Sequence, residues 1–286
     1  MIETIHVTTW DDLHNEVFRE SWNAEIGRFR SNWLFRGVSS SDHALHNSLM
    51  RLGGPYWRLE SYLLRNFRKY AHRQTLPFDD DWNWLALGQH HGLPTRLLDW
   101  TYSPYVAMHF ATHVLDEFDR DGAVFMVNFV EAHRRLPAEL VDVLKNDGSL
   151  VFTTELLSRY ALTLREFDSK AVRSGLEPFV LFFEPPSLDE RITNQFAVFS
   201  MMSDSRIGLS QWLTNERSVC RRLVIDKALK WEIRDKLDQA NITERVLFPG
   251  LDGLSRWLAR QYTDSRRNPE TLEDQSLPPV VFREEN

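Results

Sequence analysis

Residues with reactive or ligand-binding side chains are concentrated in one otherwise apolar stretch of the chain, residues 84–112 (WLALGQHHGLPTRLLDWTYSPYVAMHFAT). Two adjacent histidines, an arginine, an aspartate and a tryptophan lie there, together with turn-forming glycine and proline. Such a composition is unusual for a hydrophobic core, because each buried polar group must find a hydrogen-bond partner. We therefore predict that this stretch forms the wall of a ligand site.

The candidate side chains combine cationic forks, hydroxyl groups, an aromatic ring and a terminal amide. Arginine binds phosphate through its planar fork, hydroxyls orient a ribose or an amide, and tryptophan offers a stacking face. This inventory suits a dinucleotide such as NAD better than it suits a hydrolytic triad. The candidates are Arg36, His91, Thr95, Arg96, Asp99, Trp100, Thr101, Ser103 and Gln195.

Several other kinds of site lack their sequence patterns. The chain has no G-x-x-x-x-G-K, no G-x-G-x-x-G before a helix and no G-x-S-x-G, so P-loop, Rossmann and nucleophile-elbow sites have no support. His109 and His113 have the i, i+4 spacing of zinc peptidases, but Phe110 stands where those enzymes carry their glutamate base. The acidic run 79–81 is more typical of a solvent-facing helix start than of a cation site. We therefore expect no metal cofactor.

Length and composition indicate a globular protein. The chain has 286 residues, 42% of them hydrophobic, which is enough for one large core or two small ones. Its net charge of −7 argues against a long electrostatic footprint on nucleic acid, although a local basic patch is compatible with it. One cysteine excludes an internal disulfide framework, and no apolar run resembles a membrane span or a signal peptide. We expect a cytoplasmic protein without a membrane partner.

A predicted strand must position the first candidate residues. Residues 33–35 have the pattern of a strand that delivers Arg36 and Gly37 to its carboxyl end. The guanidinium would bind a phosphate or carboxylate there, and the glycine would let the ligand approach the backbone. The alternative is an arginine paired with a carboxylate at the edge of the core. The order of elements also places Gln195 at the same end of the sheet as Arg36 and Asp99.

The central stretch divides into a strand, a polar corner and a helix. Residues 97–98 are an apolar run that predicts a buried strand ending at Asp99. Ser103 before Pro104 is the order in which helices begin, and apolar residues at helical spacing continue to Phe118. The free amides at this helix start favour an anion such as a phosphate. His90 and His91 would point to opposite sides of an extended chain, so at most one of them reaches the site.

The remaining segments alternate between strands and helices, which indicates a mixed α/β fold. Beyond residue 263 the chain is polar and rich in charge and proline, so we expect 264–286 to be a flexible or partner-bound tail. Further strands are predicted over 2–7, 122–129, 178–184, 197–202 and 220–226, and further helices from Thr9 onwards, over 137–145, 154–167, 228–237 and 250–262, and from a cap at Ser187. A helix over 55–73 has a basic outer face, usually a solvated face and alternatively a polyanion contact, formed by Arg58, Arg65, Arg68, Lys69 and Arg73.

The run QHHGLPTRLLDWT followed by SPYVAMHFA resembles the signature of FRG domains, a family named for a Phe-Arg-Gly tripeptide, which stands here at 35–37. The resemblance continues through LFPGLDGL at 247–254 and covers 31–258. It implies a single domain over 1–263. Further matches are Leu45, Ser48, Leu49, Arg51, Arg191, Ile192, Gln195 and Phe199.

The order of these motifs also resembles that of ADP-ribosyltransferases, which implies a split mixed or antiparallel sheet with surrounding helices and NAD as the substrate. The FRG tripeptide is similar to the arginine motif of their first core strand, 99–111 to their hydroxyl-rich strand and helix, and 191–199 to their glutamate strand. Neutral Gln195 then stands in place of a carboxylate whose charge is typically worth about 3–4 kcal/mol, so Asp99 or Glu190 would have to replace it. The implied catalytic residues are Arg36, Asp99 and Gln195, and the implied NAD-binding residues are Arg36, Gly37, His91, Thr95, Arg96, Trp100, Thr101, Ser103 and Arg191.

These resemblances lead us to expect an enzyme that transfers ADP-ribose from NAD to a macromolecule. RNA is favoured over protein as the acceptor, because the basic helix over 55–73 lies between the two NAD motifs in the sequence. The family resemblance further implies a bacterial toxin or antiphage setting, with an antitoxin or another regulatory protein as partner. The alternatives are a non-catalytic nucleotide- or nucleic-acid-binding module and a hydrolase that uses His91 and Asp99.

Overall fold

A computed structural model describes residues 2–71 and 78–264. As predicted, the fold is mixed α/β, with an eight-stranded mixed sheet and a separate two-stranded sheet. The strands follow the order β1-β10-β6-β4-β5-β9-β8-β7 in the large sheet, and β2 pairs with β3 in the small one. Their bounds are β1 (Glu3–Val7), β2 (Trp22–Asn23), β3 (Arg28–Phe29), β4 (Trp33–Val38), β5 (Leu97–Thr101), β6 (Gly122–Asn128), β7 (Phe152–Thr153), β8 (Val180–Glu184), β9 (Ala197–Met202) and β10 (Cys220–Ile225).

Most of the helices begin at a side chain that accepts a hydrogen bond from a free amide of the first turn. Ser103 accepts from Val106 N, with Pro104 as the first helical residue, and Thr9 and Asp80 begin helices in the same way. The helices are α1 (Trp10–Phe18), α2 (Glu60–Tyr70), α3 (Asp81–His90), α4 (Pro104–Ala111), α5 (Phe129–His133), α6 (Ala138–Asp147), α7 (Thr154–Tyr160), α8 (Leu164–Arg173), α9 (Glu190–Asn194), α10 (Leu209–Asn215), α11 (Lys230–Gln239), α12 (Glu244–Leu247) and α13 (Leu251–Gln261).

The sheet is weakly joined at its centre. β4 forms six register pairs with β6, and β5 forms five with β9, all antiparallel. Between β4 and β5, however, the only pair is Phe35 with Thr101. The two strands separate beyond this pair, so the sheet consists of two halves that meet at one bridge.

The two faces of the sheet differ in how the hydrophobic core covers them. On the face that we call the continuous face, one cluster spans both halves, from Leu34 and Phe125 to Trp100 and Phe182. On the opposite face, the divided face, one cluster packs with Phe35 on the β4 half and a separate cluster packs with Leu97, Phe199 and Phe183 on the β5 half. The boundary between these two clusters therefore leaves room for a cavity above the gap in the sheet.

The predicted strands are confirmed with small shifts at their ends, and β9 has the predicted bounds. Several predicted helix limits are wrong. The helix that starts at Pro104 ends at Ala111 rather than at Phe118, because Thr112 leaves the helical conformation and its hydroxyl donates to Met108 O. Asp189, not Ser187, caps α9.

Other differences concern longer segments. The predicted helix over 154–167 is two helices, α7 and α8, separated by extended Ala161. The basic helix begins as a 3₁₀ turn at Tyr56–Arg58 and continues as α2. Arg73 and the predicted tail from 265 onwards lie outside the described residues.

Candidate functional site

A cavity of about 260 Å³ opens on the divided face, above the gap between β4 and β5. The end of α3 lies on one side of it and the end of α4 on the other, with α9 across the opening. Of the residues predicted for the site, the structure brings together Arg36, Gly37, Asp99, Trp100, Thr101, Arg191 and Gln195 around this cavity.

Arg36 and Asp99 lie side by side across the gap. β4 and β5 run antiparallel, so the carboxyl ends of these strands lie at opposite ends of the sheet, and Arg36 and Asp99 meet along the gap between the strands. Arg36 Nη1 donates to the Asp99 carbonyl oxygen at 2.6 Å and lies 3.7 Å from its carboxylate. This contact occupies the position where ladder hydrogen bonds would otherwise join the two strands.

The Arg36 guanidinium has unused hydrogen-bonding capacity. Its Nε is buried and has no hydrogen-bond partner within the described part of the chain. Burial lowers the pKa of Arg36 from its usual value, and the charge of Asp99 opposes that shift. Because a buried N–H without a partner costs free energy, a ligand oxygen that accepts from this guanidinium would be stabilised.

Asp99 is the only carboxylate among the residues that line this cavity in the described chain. Its side chain is 58% exposed, and both of its carboxylate oxygens accept from Gln89 Nε2, at 3.0 and 3.1 Å. Gln89 Oε1 accepts in turn from Thr95 Oγ1 at 2.5 Å. Thr95, predicted to bind the ligand, therefore holds the glutamine that orients Asp99.

Gln195 connects the cavity to the last helices of the described chain. Its side-chain Nε2 donates to Leu247 O at 2.9 Å, and its backbone carbonyl accepts from Thr101 Oγ1 at 2.7 Å. The amide nitrogen and the Thr101 hydroxyl are thus used within the protein. The Gln195 side-chain amide is neutral and its Oε1 can act only as an acceptor, so Gln195 positions the wall and supplies no charge.

Two histidines line the cavity, and neither is His91. His90 is the last residue of α3, and its Nε2 lies 2.5 Å from Asp189 Oδ2, whereas His91 is exposed and absent from the lining. His113 Nδ1 is 2.8 Å from Phe110 O. Burial lowers the pKa of both His90 and His113, although Asp189 opposes the shift at His90 and Phe110 O opposes it at His113. Both imidazoles are therefore mainly neutral at pH 7 and can accept a proton.

Gly37 makes room for a helix rather than for a ligand. A Cβ added to Gly37 would lie 1.9 Å from Ala107 O and 2.5 Å from Ala111 N, so the backbone of α4 occupies the space that we expected a ligand to use. The start of α4 is also away from the cavity, because Phe110 at its other end is the residue that lines it. Ser103 caps this helix start, and the predicted anion subsite there is not part of the cavity.

Two further residues predicted for the site bind or pack elsewhere in the protein. Arg96 is buried, and its guanidinium binds Glu60 and Asp168, with Nη1 2.7 Å from Asp168 Oδ1. Trp100 is 3% exposed, and its Nε1 donates to Ser200 Oγ at 2.9 Å while its ring packs in the core of the continuous face. The Trp100 ring therefore does not provide the stacking face that we predicted, although the residue borders the cavity.

A second cavity of about 510 Å³ adjoins the first, since Arg191 lines both. The Arg191 guanidinium lies 5.1 Å from the centre of the Phe248 ring, and that of Arg256 lies 5.4 Å from it. Asp189, Glu190, Pro249 and Asp252 also line this second cavity. Glu190, one of the two acids that could replace the missing catalytic carboxylate, therefore borders the second cavity and not the first.

Two general properties complete the description. Among residues 2–71 and 78–264, no three His, Cys, Asp or Glu side chains are grouped so that they could hold a metal ion. None of the helices in these ranges combines the length and the apolar character needed to cross a bilayer.

Comparison with known proteins gives one match. Residues 31–120, which include β4, α2, α3, β5 and α4, match the family model of the FRG domain. Neither the curated proteins nor the solved structures contain a match to the chain. The matched segment supplies Arg36 and Asp99 as well as both helices that flank the first cavity, so the similarity to the FRG domain extends over this part of the site.

Proposed function

We propose that the protein binds NAD in the two adjoining cavities and transfers its ADP-ribose to a macromolecular acceptor, with release of nicotinamide. One observation carries this proposal. Arg36, with a buried and unpartnered N–H, and Asp99, the only carboxylate of the lining in the described chain, meet in a cavity at the gap of the sheet. A cation for a phosphate and an anion for a developing positive charge are the two groups that the reaction requires.

The sizes of the two cavities and the arginine between them support a dinucleotide. The first cavity, about 260 Å³, is smaller than the roughly 300–1,000 Å³ of typical ligand sites, whereas the second adds about 510 Å³. Arg191 stands between them and Arg36 faces the first. The nicotinamide ribose would occupy the first cavity, the adenosine the second, and the diphosphate the boundary, where Arg36 and Arg191 would bind it.

The chemistry assigns different roles to the residues of the first cavity. When the bond between the ribose C1′ and the nicotinamide nitrogen breaks, the electron pair leaves with nicotinamide and C1′ becomes positive. The Asp99 carboxylate stabilises that charge and accepts a hydrogen bond from a ribose hydroxyl. An acceptor hydroxyl then attacks C1′, and the proton that it loses passes to a neutral imidazole, a role that we assign to His113 because it lines this cavity.

Two variants, Asp99→Asn and Arg36→Ala, separate these roles. Each purified protein is incubated with bacterial extract and with NAD that carries its label in the adenylate, and NAD binding and label transfer are measured. Asp99→Asn should lower ADP-ribose transfer by about 10²–10³-fold at nearly unchanged NAD affinity, because it removes charge and not shape. Arg36→Ala should weaken NAD binding about tenfold or more, since it deletes a charged donor. Asp142→Asn on α6, outside both cavities, is the matched control and should behave like the parent.

Other outcomes would replace the proposal with a defined rival. NAD binding without any loss of NAD would make the protein a non-catalytic binding module. Loss of NAD without transfer would make it a hydrolase, and a dependence of that loss on His91 would contradict the lining described above. Transfer at the parental rate by Asp99→Asn would show that Asp99 is not the acid of the reaction.

The setting of the reaction is part of the same proposal. A protein that consumes NAD acts where NAD is available, which supports the cytoplasm. Uncontrolled transfer of ADP-ribose would be toxic, and this supports the bacterial toxin or defence role with an antitoxin or regulatory partner that the family resemblance implies. This role is tested by expressing the tagged chain together with the untagged protein encoded by the adjacent gene. The two proteins should co-purify, and the untagged protein should change the rate of NAD loss.

A further inference from the structure

A wide groove lies on the divided face beside the β5 half of the sheet, between α2 and α8. Its volume is about 890 Å³, larger than either cavity described above. Six arginines from three separate parts of the chain line it: Arg58, Arg65, Arg68, Arg96, Arg165 and Arg173. We call it the arginine groove.

Only two of these arginines are neutralised by the acids of the groove. The acidic residues of the lining are Glu60, Asp81 and Asp168. Arg96 binds Glu60 and Asp168, with Arg96 Nε 2.5 Å from Glu60 Oε2, and Arg68 Nη1 lies 2.9 Å from Asp81 Oδ1. Among the described residues, the lining thus has six cations against three carboxylates, and all three carboxylates are bound to these two arginines.

The other four arginines, Arg58, Arg65, Arg165 and Arg173, are exposed and form no hydrogen bond or ion pair through their side chains within the described part of the chain. Such a concentration of free positive charge stands out on a chain whose net charge is −7. Like charges held close together repel one another, and a polyanion that spans the groove would relieve that repulsion.

Aromatic side chains stand at the same groove. Trp57 is part of the lining and is 40% exposed, with the Tyr56 ring packed edge-on at 5.3 Å. Nearby on α2, Tyr62 is 57% exposed and lies 5.5 Å below the Arg65 guanidinium. Exposed aromatic faces beside arginines are the combination that holds unpaired bases and their phosphates.

The arginine groove is close to the first cavity along two elements. Arg96 forms part of the groove and Asp99 part of the cavity, three residues apart at the start of β5, which corresponds to about 10 Å. α3 begins at Asp81 in the groove and ends at His90 in the cavity, about 15 Å further along. A strand bound in the groove can therefore bring one of its nucleotides to the cavity.

We propose that the arginine groove binds a single-stranded polynucleotide and presents it as the acceptor, an inference that rests on the proposed function. The local character of the positive charge fits a flexible single strand, whereas a duplex requires a long basic surface. The exposed Trp57 ring adds a stacking contact that an acidic peptide would not use in the same way. RNA and DNA share this chemistry, and the test distinguishes them.

Binding measured without NAD tests the groove directly. Fluorescence polarisation compares four labelled probes: a 12-nucleotide single-stranded RNA, the single-stranded DNA of the same sequence, the corresponding DNA duplex, and polyglutamate. Binding should be tightest to a single strand. The triple variant Arg65→Glu, Arg165→Glu, Arg173→Glu should weaken that binding at least tenfold. The matched control is Arg28→Glu, Lys145→Glu, Lys227→Glu, which changes the net charge equally at exposed positions outside the groove and should bind like the parent.

Two further measurements show whether the strand binds the groove through its phosphates and through stacking of a base. If four phosphates are contacted, log K for the parent should fall against log salt with a slope of about 3, from about 0.7 per phosphate on a single strand, and the triple variant should have a shallower slope. Trp57→Ala should weaken single-strand binding roughly five- to hundredfold and leave binding of polyglutamate unchanged. The milder triple variant with glutamine at the same three positions repeats the test if the charge-reversed protein has an altered circular dichroism spectrum.

The outcomes separate this inference from the proposed function. Loss of polynucleotide binding in the triple variant, at parental NAD binding and NAD loss, supports the groove, and it does so even if the parent transfers nothing. Equal binding of the single strand by the parent and the triple variant overturns the inference while leaving NAD chemistry intact. Preference for polyglutamate over every nucleic acid overturns it in favour of an acidic protein partner, and transfer to RNA or to DNA alone identifies the acceptor.

Discussion

His133 illustrates at the scale of one residue how burial sets protonation. Its Nδ1 lies 3.0 Å from Leu150 O, and its Nε2 accepts from Phe182 N at 3.0 Å. This pair of contacts requires a neutral ring with the proton on Nδ1. Burial lowers the pKa of His133 to about 4, and the contact with Leu150 O opposes the shift only in part.

We expect His133 to make the stability of the protein depend on pH. The folded pKa lies below the unfolded value of 6.5, so the unfolded state binds more protons between these values. The contribution, on the order of 3 kcal/mol, is therefore complete above pH 6.5 and is lost as the pH falls towards 4. Urea unfolding at a series of pH values should show a flatter dependence for His133→Gln than for the parent. The exposed control His6→Gln should keep the parental slope, and an unchanged slope in His133→Gln would contradict the assignment.

Single residues of the site were predictable from sequence where their neighbours in the chain determine their position. Arg36 and Asp99 follow apolar residues at strand spacing, and both line the cavity. Gln89 and His90 were missed as site residues because residues 82–88 of α3 are all buried, so no polar face reveals how the helix is turned. The role of Arg96 depends on Asp168, 72 positions away, which spacing along the chain cannot indicate.

At the scale of elements, the contact between β4 and α4 depends on the absence of a side chain at Gly37. A Cβ there would lie 1.9 Å from the backbone oxygen of Ala107, so either the helix or the strand must move. We expect Gly37→Ala to destabilise the fold by about 1–3 kcal/mol or more. It should also weaken ligand binding, because α4 carries Phe110 to the cavity.

Gly208→Ala is the matched control for this prediction. A Cβ at Gly208 would meet only the flexible Met50 side chain, 3.7 Å away, and its φ of −73° suits any residue. Its free energy of unfolding should change by less than about 1 kcal/mol in urea titrations. Similar losses in both variants would show that the close approach of α4 does not explain the glycine at 37.

The elements that sequence predicts best are those with a local start signal or a steady period. Ser103 with Pro104 fixes the start of α4, and alternating residues fix β1. The end of α4 was missed because apolar residues continue at helical spacing to Phe118, while the hydroxyl of Thr112 binds Met108 O at the actual end. Whether β4 and β5 run parallel or antiparallel depends on the whole sheet, and this decided where the site lies.

For the whole molecule, net charge is a poor guide to the local field. The chain carries −7, yet the 3₁₀ turn before α2, α2 itself, the residue before β5 and α8 bring six arginines of the described chain to one groove. The basic face of 55–73 was visible in the sequence, but Arg165 and Arg173 come from a segment almost a hundred residues later. The position of this second wall of the groove therefore depends on tertiary contacts, which the sequence alone does not indicate.

The single bridge between β4 and β5 has a consequence for the exchange of backbone hydrogens with solvent. Amides of β4 that point to β6, and amides of β5 that point to β9, belong to ladders of six and five pairs and should exchange slowly. Amides of the same strands that point into the gap lack such a ladder beyond Phe35 and Thr101. Residue-resolved exchange should show fast amides in the gap, slowed on addition of NAD, and equal protection on both sides of β4 would contradict the division of the sheet. In this protein, strand amides open to solvent exchange would then lie in the middle of the sheet, where other proteins have their most protected ones.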